Sequence, residues 1–156
     1  MMRKLTVMSK SQDRELALID SRQFTNVVEM IRNTRNQVLQ IANTALIDLY
    51  WKIGQYLSVK ISSAEWGDGV VKQLAAYIGK TCPDVKGFSD KNLWRMKQFY
   101  ETYATEGEKL STVLRQISWS NNLTILSRTK SMKEREFYIR KCISEKYSNR
   151  ELNRQI

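Results

Sequence analysis

Histidine is missing from this chain altogether, and proline occurs once and glycine six times in 156 residues. Without histidine there is no Ser-His or Cys-His nucleophile pair, and the imidazole ligands of most catalytic zinc sites are gone. Cysteine is equally sparse. Cys82 and Cys142 stand sixty residues apart, which is neither a metal-ligand spacing nor a small secreted disulfide framework, so a reducing cytoplasm is the expected setting. The scarcity of turn residues argues against an all-β protein, and 42% apolar with 27% charged residues is a globular, helix-rich composition rather than a disordered one. Long apolar runs are also missing. No window approaches the roughly 18 residues of a membrane span, and Lys10, Asp13, Arg14 and Glu15 interrupt the start before any signal-peptide core can form. A soluble, cytoplasmic, non-membrane protein of one-domain size is expected.

What is abundant is positive charge. The net charge is +10, and it divides as +1 over residues 1–20, +3 over 21–60, +1 over 61–127 and +5 over 128–156. Such a balance favours an acidic partner, nucleic acid above all, through counterion release and steering, with solubility alone as the plain alternative.

Residues 1–20 are polar with weak periodicity and read as a flexible N-terminal arm. From Ser21 the pattern is that of a long amphipathic helix. Phe24, Val28, Ile31, Val38, Ala42, Ala45, Leu49, Ile53 and Tyr56 form its stripe, widened by Leu39, Leu46, Tyr50 and Leu57. Unbroken to residue 60, it would extend about 60 Å at 1.5 Å per residue, whereas a compact chain of this length spans about 40 Å. Either the helix breaks, with Gly54 as the natural place, or it pairs with another chain. The second alternative makes a homodimer the expected assembly, with Leu39, Leu46 and Tyr50 as interface candidates.

Glu65 to Gly69 reads as a turn, residues 70–80 as a second helix, and Cys82 to Phe88 as a loop. Ser89 caps a third helix whose buried arc holds Leu93, Met96, Phe99, Tyr100 and Tyr103. Lys91, Arg95, Gln98 and Thr102 gather on its opposite face with Trp94 at the edge. Short helices follow over 110–117 and 119–126. Ser131 with Glu134, and Ser148 with Glu151, are capping-box patterns that open two more. The chain stops inside the last of them, which reads as a boundary cut into a longer protein or a junction to another domain. The expected fold class is all-α, a multi-helix domain with a long N-terminal amphipathic helix and a helix-turn-helix-like pair.

Pro83-Asp84-Val85-Lys86 carries the acid-x-Lys element of a nuclease metal site, but such a site needs two acids and a lysine on adjoining strands, and this one lies in a loop. Gly67-Asp68-Gly69 lacks the spacing of a phosphate loop. Asn122-Leu123-Thr124 is formally a glycosylation sequon without a secretory signal to give it meaning. The cysteines read as small buried apolar residues, and the four tryptophans as mainly core, with Trp94 kept open. For nucleic acid, the second and third helices resemble a helix-turn-helix in which Lys91, Arg95 and Gln98 supply donors, although the connection is longer than the tight turn of that motif. A solvated helix face is the alternative. The C-terminal region adds Arg128, Lys130, Lys133 and Lys141, with Phe137 set opposite its helix's apolar arc. An exposed aromatic beside cations suits nucleic acid or a following domain.

Leu49-Tyr50-Trp51 with Ile53-Gly54, Trp66-Gly67, Gly87-Phe88-Ser89, Asn92-Leu93-Trp94, Phe99-Tyr100, Ile117-Ser118-Trp119, Arg135-Glu136-Phe137-Tyr138 and Glu151-Leu152 together resemble the N-terminal domain of the bacterial YhcG family. The likeness runs from about residue 21 to the end. Cys82 stands where that family usually has Phe. The resemblance implies an N-terminal domain, described as DNA-binding or helix-turn-helix-like, that precedes a PD-(D/E)xK nuclease-like domain located after residue 156. It transfers no catalytic or ligand-contact residue. The resulting expectation is a non-catalytic DNA-targeting module over 21–156, not itself an enzyme, with no cofactor or metal. Its nucleic-acid candidates are Lys91, Trp94, Arg95, Gln98, Arg128, Lys130, Lys133 and Lys141. The alternative is a protein-interaction or oligomerisation module of a restriction or defence-type assembly.

Overall fold

The computed structural model describes the backbone of residues 2–156 and the side chains of residues 10–15 and 21–156. Among the described residues seven helices follow one another: α1 (Met2–Ser62), α2 (Asp68–Thr81), α3 (Asp90–Tyr103), α4 (Glu108–Leu114), α5 (Trp119–Arg128), α6 (Met132–Glu145) and α7 (Asn149–Gln155). No strand occurs among the described residues. Most side chains of the expected arm, residues 1–20, lie outside the described ones, and its backbone from Met2 falls within the bounds of α1. The chain divides into two units, Met1–Ile41 and Ala42–Ile156.

In the first unit every residue from 21 to 41 is exposed. The second unit is a helical domain with one core. Leu93, Met96, Phe99 and Tyr103, the inner face of α3, are each at most 1% exposed and form its centre. Phe99 sits edge-on to Trp51, Tyr103 and Trp119, with ring centroids 5.7, 5.5 and 5.2 Å away. Tyr50 lies 4.7 Å from Trp119 and 6.1 Å from Phe88. Such pairs add to the area each ring buries.

Of the two alternatives for the long helix, the break at Gly54 does not occur, because α1 continues through it to Ser62. Gly54 serves a different purpose. A Cβ there would lie 2.1 Å from the Met96 carbonyl oxygen, so the missing side chain is what lets α1 and α3 touch backbone to backbone. The stripe read along α1 is corrected too. In the second unit the buried positions are Ile47, Tyr50, Gly54 and Leu57, while Leu49 and Tyr56 from the expected stripe are exposed. Both sets recur at three or four residues, so periodicity alone identifies two apolar faces, and close approach at Gly54 decides which faces the core.

Four helices start at serines. The hydroxyls of Ser89, Ser118, Ser131 and Ser148 accept from the amides of Asn92, Asn121, Glu134 and Glu151, each satisfying an orphan donor of the first turn. The reciprocal half of the capping box is absent. Glu134 accepts from the Lys130 amide at 2.9 Å, one residue before the cap, and Glu151 pairs with Arg154 at 3.0 Å.

A polar clamp that the sequence reading passes over joins α1 to the α4–α5 connection. Asn43 Nδ2 donates to the carbonyls of Arg115 and Ile117 at 3.1 and 2.9 Å, and the Arg115 guanidinium donates to Asp48 Oδ1 at 3.0 Å. Hydrogen bonds from Lys52 and then Arg115 hold the Asp48 carboxyl below its ordinary range, against a smaller opposing effect of burial.

Candidate nucleic-acid interface

The outward side of α3 follows from its heptad-like inner side. With Leu93, Met96, Phe99 and Tyr103 committed to the core, Lys91, Arg95 and Gln98 are left exposed, whereas Thr102 is half-buried and donates to the Gln98 carbonyl at 2.7 Å. The next cation along, Lys97, is spent internally. It pairs with Glu101 at 2.8 Å, and Ser58 of α1 donates to the same carboxylate at 2.8 Å. Burial pushes the Glu101 carboxyl up, but the bonds from Lys97 and Ser58 outweigh it and hold the carboxyl below its ordinary range. Among the described residues, no ion pair includes Lys91 or Arg95.

Arg95 and Gln98 do not stand on an open helix face. They form one wall of a cavity of about 240 Å³ whose other wall is α5, through Leu123, Thr124, Leu126 and Ser127. Two buried asparagines set the position of α5. Asn122 Nδ2 donates to the carbonyls of Leu114 and Ser118 at 3.1 and 3.2 Å, fixing the helix to the end of α4. Asn121 Nδ2 donates to the Tyr147 carbonyl at 2.9 Å, while its oxygen accepts from Asn149 at 3.1 Å, fixing the helix to α7. Asn149 also donates to the Thr124 hydroxyl at 2.9 Å, so that hydroxyl can turn its own hydrogen to another acceptor.

The cavity therefore combines a guanidinium, a carboxamide and two hydroxyls above the apolar side chains of Leu123 and Leu126. Donors of this kind suit an anionic oxygen or the edge of a base. Leu123 and Leu126 supply apolar surface beside those donors. Leu123, Thr124, Leu126 and Ser127 are not among the site candidates of the sequence, where residues 119–126 read as a short helix and 122–124 formally as a sequon. The readable signal was two hydroxyls three residues apart on one helix side.

The remaining candidates are placed elsewhere. Arg128 is turned back on α7, donating to the carbonyl and side-chain oxygen of Asn153 at 3.2 Å each. Lys133 and the exposed Phe137 line a second hollow of about 320 Å³ with Ser131, Glu134 and Tyr138. Lys130 is exposed and Lys141 half-buried, and neither lines either hollow. All four tryptophans pack partly buried against the core. Trp94 among them is half-buried, with the Lys97 ammonium 5.8 Å from its ring centre. Of the interface candidates on α1, Leu39 and Leu46 are exposed, but Tyr50 is only 5% exposed. Its ring is used within the core against Phe88 and Trp119, which removes it from any contact with another chain.

Asp84 and Lys86 are exposed in the connection between α2 and α3, Cys82 to Ser89. Among the described residues, no group of three or more Cys, Asp or Glu side chains is gathered as metal ligands would be, and no helix is long and apolar enough to cross a membrane.

Comparison with known proteins gives one family. Its model, described as the DUF1016 N-terminal domain, matches residues 26–156, which takes in α2 to α7 whole. No curated protein and no solved structure matches the chain. With the match spanning most of its length, the chain belongs to the DUF1016 N-terminal domain family, of YhcG type.

Proposed function

We propose that this chain is a non-catalytic DNA-binding module that acts in the cytoplasm and directs a PD-(D/E)xK nuclease-like domain, the arrangement that the YhcG resemblance implies. One observation carries the reading: Arg95, free of any acidic partner among the described residues, shares a donor-rich cavity with Gln98, Thr124 and Ser127. A net charge of +10 supports it, because phosphate neutralisation supplies most non-specific affinity. Helices α2 and α3 act as a helix-turn-helix variant, with the long connection setting them apart from the tight-turn motif.

Fluorescence anisotropy with a labelled duplex and a labelled single strand tests this reading at about 50 and 200 mM salt. Binding through several phosphates weakens by orders of magnitude across that range. No binding to either oligonucleotide at the lower salt contradicts the reading. Plasmid incubated with the chain and Mg²⁺ or Mn²⁺ stays intact, and cleavage that is lost on Asp84→Ala would overturn the non-catalytic assignment.

The rival reading, a protein-interaction or oligomerisation module, draws on a separate observation. Residues 21–41 of α1 are exposed throughout and rich in large apolar side chains.

A further inference from the structure

Arg95 and Gln98 are not the leading edge of a helix that enters a groove unaccompanied. Across the cavity from them stands α5, with Leu123, Thr124, Leu126 and Ser127 on its wall. Two packed helices measure roughly 20 Å across, from their axis separation and one helix diameter, whereas the major groove of B-DNA is about 12 Å wide. A duplex that received the middle of α3 in its groove would meet α5. A base that reaches this cavity therefore comes out of the stack. A void of about 150 Å³ takes a benzene ring, so about 240 Å³ accommodates one purine and no base pair.

The polar groups of the cavity are of both kinds. Arg95 offers donors alone, and the Thr124 hydroxyl, which already accepts from Asn149 at 2.9 Å, has its own hydrogen to give. Ser127 is the reverse. Its hydroxyl donates to the Thr124 carbonyl at 3.2 Å, which leaves its lone pairs for an incoming donor. Gln98 supplies a donor and an acceptor on one carboxamide. A phosphate only accepts, and would leave the oxygens of Gln98 and Ser127 unanswered. A base edge answers both kinds. Guanine fits best, because its O6 and N7 are adjacent acceptors that take a guanidinium in parallel, and N1–H with the N2 amino group beside them are donors. In a G·C pair those donors are committed to cytosine.

Building on the DNA reading above, we infer that the cavity between α3 and α5 takes a single unpaired guanine, carried on a single strand or extruded from a duplex. Arg95 holds O6 and N7, while Gln98 and Ser127 accept from N1 and the N2 amino group. Leu123 and Leu126 take the place of the stacked neighbours that the base has left. Lys91, exposed and one turn before Arg95 on α3, remains for the phosphate backbone, so the α2–α3 pair positions the DNA and the cavity reads it.

Fluorescence anisotropy at about 150 mM salt tests this with labelled oligonucleotides: an all-thymine strand, the same strand with one central guanine, a fully paired duplex, and that duplex with one bulged guanine. The guanine strand should bind roughly 5- to 150-fold more tightly than the all-thymine strand, the range of one good bidentate base contact, and the bulged duplex should gain similarly over the paired one. A gain in the strand alone marks single-stranded DNA as the source of the base, and a gain in the bulge alone marks a duplex. Arg95→Lys keeps the charge but not the planar fork. It should bring the guanine strand to the level of the all-thymine strand, with the salt slope of the latter unchanged. Binding with no preference for unpaired guanine, or with an equal preference for a central adenine, overturns the guanine site and leaves the DNA reading standing. A preference that survives Arg95→Lys in a folded variant also overturns it. No binding to any of these oligonucleotides, even at about 50 mM salt, overturns both.

Discussion

Residues 21–41 and residues 42–62 lie in the same helix by sequence, and both carry apolar stripes, yet the first stretch buries nothing and the second supplies Ile47, Tyr50 and Leu57 to a core. What separates them is what packs alongside. In the second stretch Gly54 admits the backbone of α3, and Asn43 and Asp48 are tied to the α4–α5 connection. The first stretch has neither device. Helical periodicity thus reports that a face is apolar, and only partner-specific features such as a glycine at a crossing or a polar clamp tell what covers it.

Substitutions should sharpen this contrast. The largest effect is expected at Phe99, whose ring is fully buried against Trp51, Tyr103 and Trp119. Phe99→Ala should cost about 3–5 kcal/mol in urea unfolding, whereas Phe24→Ala should stay within about 0.5 kcal/mol. Equal losses at both positions would erase the distinction between the two stretches.

Next comes Gly54→Ala. Even one methyl group meets the Met96 carbonyl, so a loss of about 3 kcal/mol is expected, in spite of the better helix propensity of alanine. Stability equal to that of the parent would mean that α1 and α3 do not approach so closely.

Arg115→Met removes the clamp's guanidinium and should cost about 1 kcal/mol, a modest figure because Asp48 keeps partial access to water. Acid should reproduce part of this loss. The folded-state pKa of Asp48 lies below its unfolded value, so its stabilising contribution is complete above the unfolded value and disappears as pH falls through the folded one. Asp48→Asn should flatten the stability profile in that acidic window and leave it unchanged near neutrality in slope.

The smallest effect is on reactivity. Burial pushes the Cys142 thiol up to about 11, while Cys82 is only half-buried. A thiol reagent at neutral pH should modify Cys82 first and reach Cys142 only on unfolding. Early labelling of Cys142 would show that α6 is not held against the core.

Much of the fold was legible in the sequence because its signals are local. The serine caps at positions 89, 131 and 148, the turn before α2 and the inner face of α3 all act within a few residues. The errors arose where the deciding contact is distant. Gly54 reads as a helix breaker until Met96, more than forty residues later, is brought against it. Tyr50 reads as an interface residue until Trp119 arrives. Arg95 and Gln98 were readable as an outward pair, but Thr124 and Ser127 join them only through the asparagine bonds that position α5.

The proposed DNA contact is the cavity between α3 and α5. The direct measurement is the slope of log affinity against log salt for the parent chain and for Arg95→Ala, with circular dichroism showing the same helix content in both. Loss of a phosphate contact should lower the slope by roughly one, and loss of a bidentate base contact should cost about 1–3 kcal/mol on the preferred sequence. A folded Arg95→Ala variant that matches the parent in both affinity and slope would contradict the assignment of that cavity.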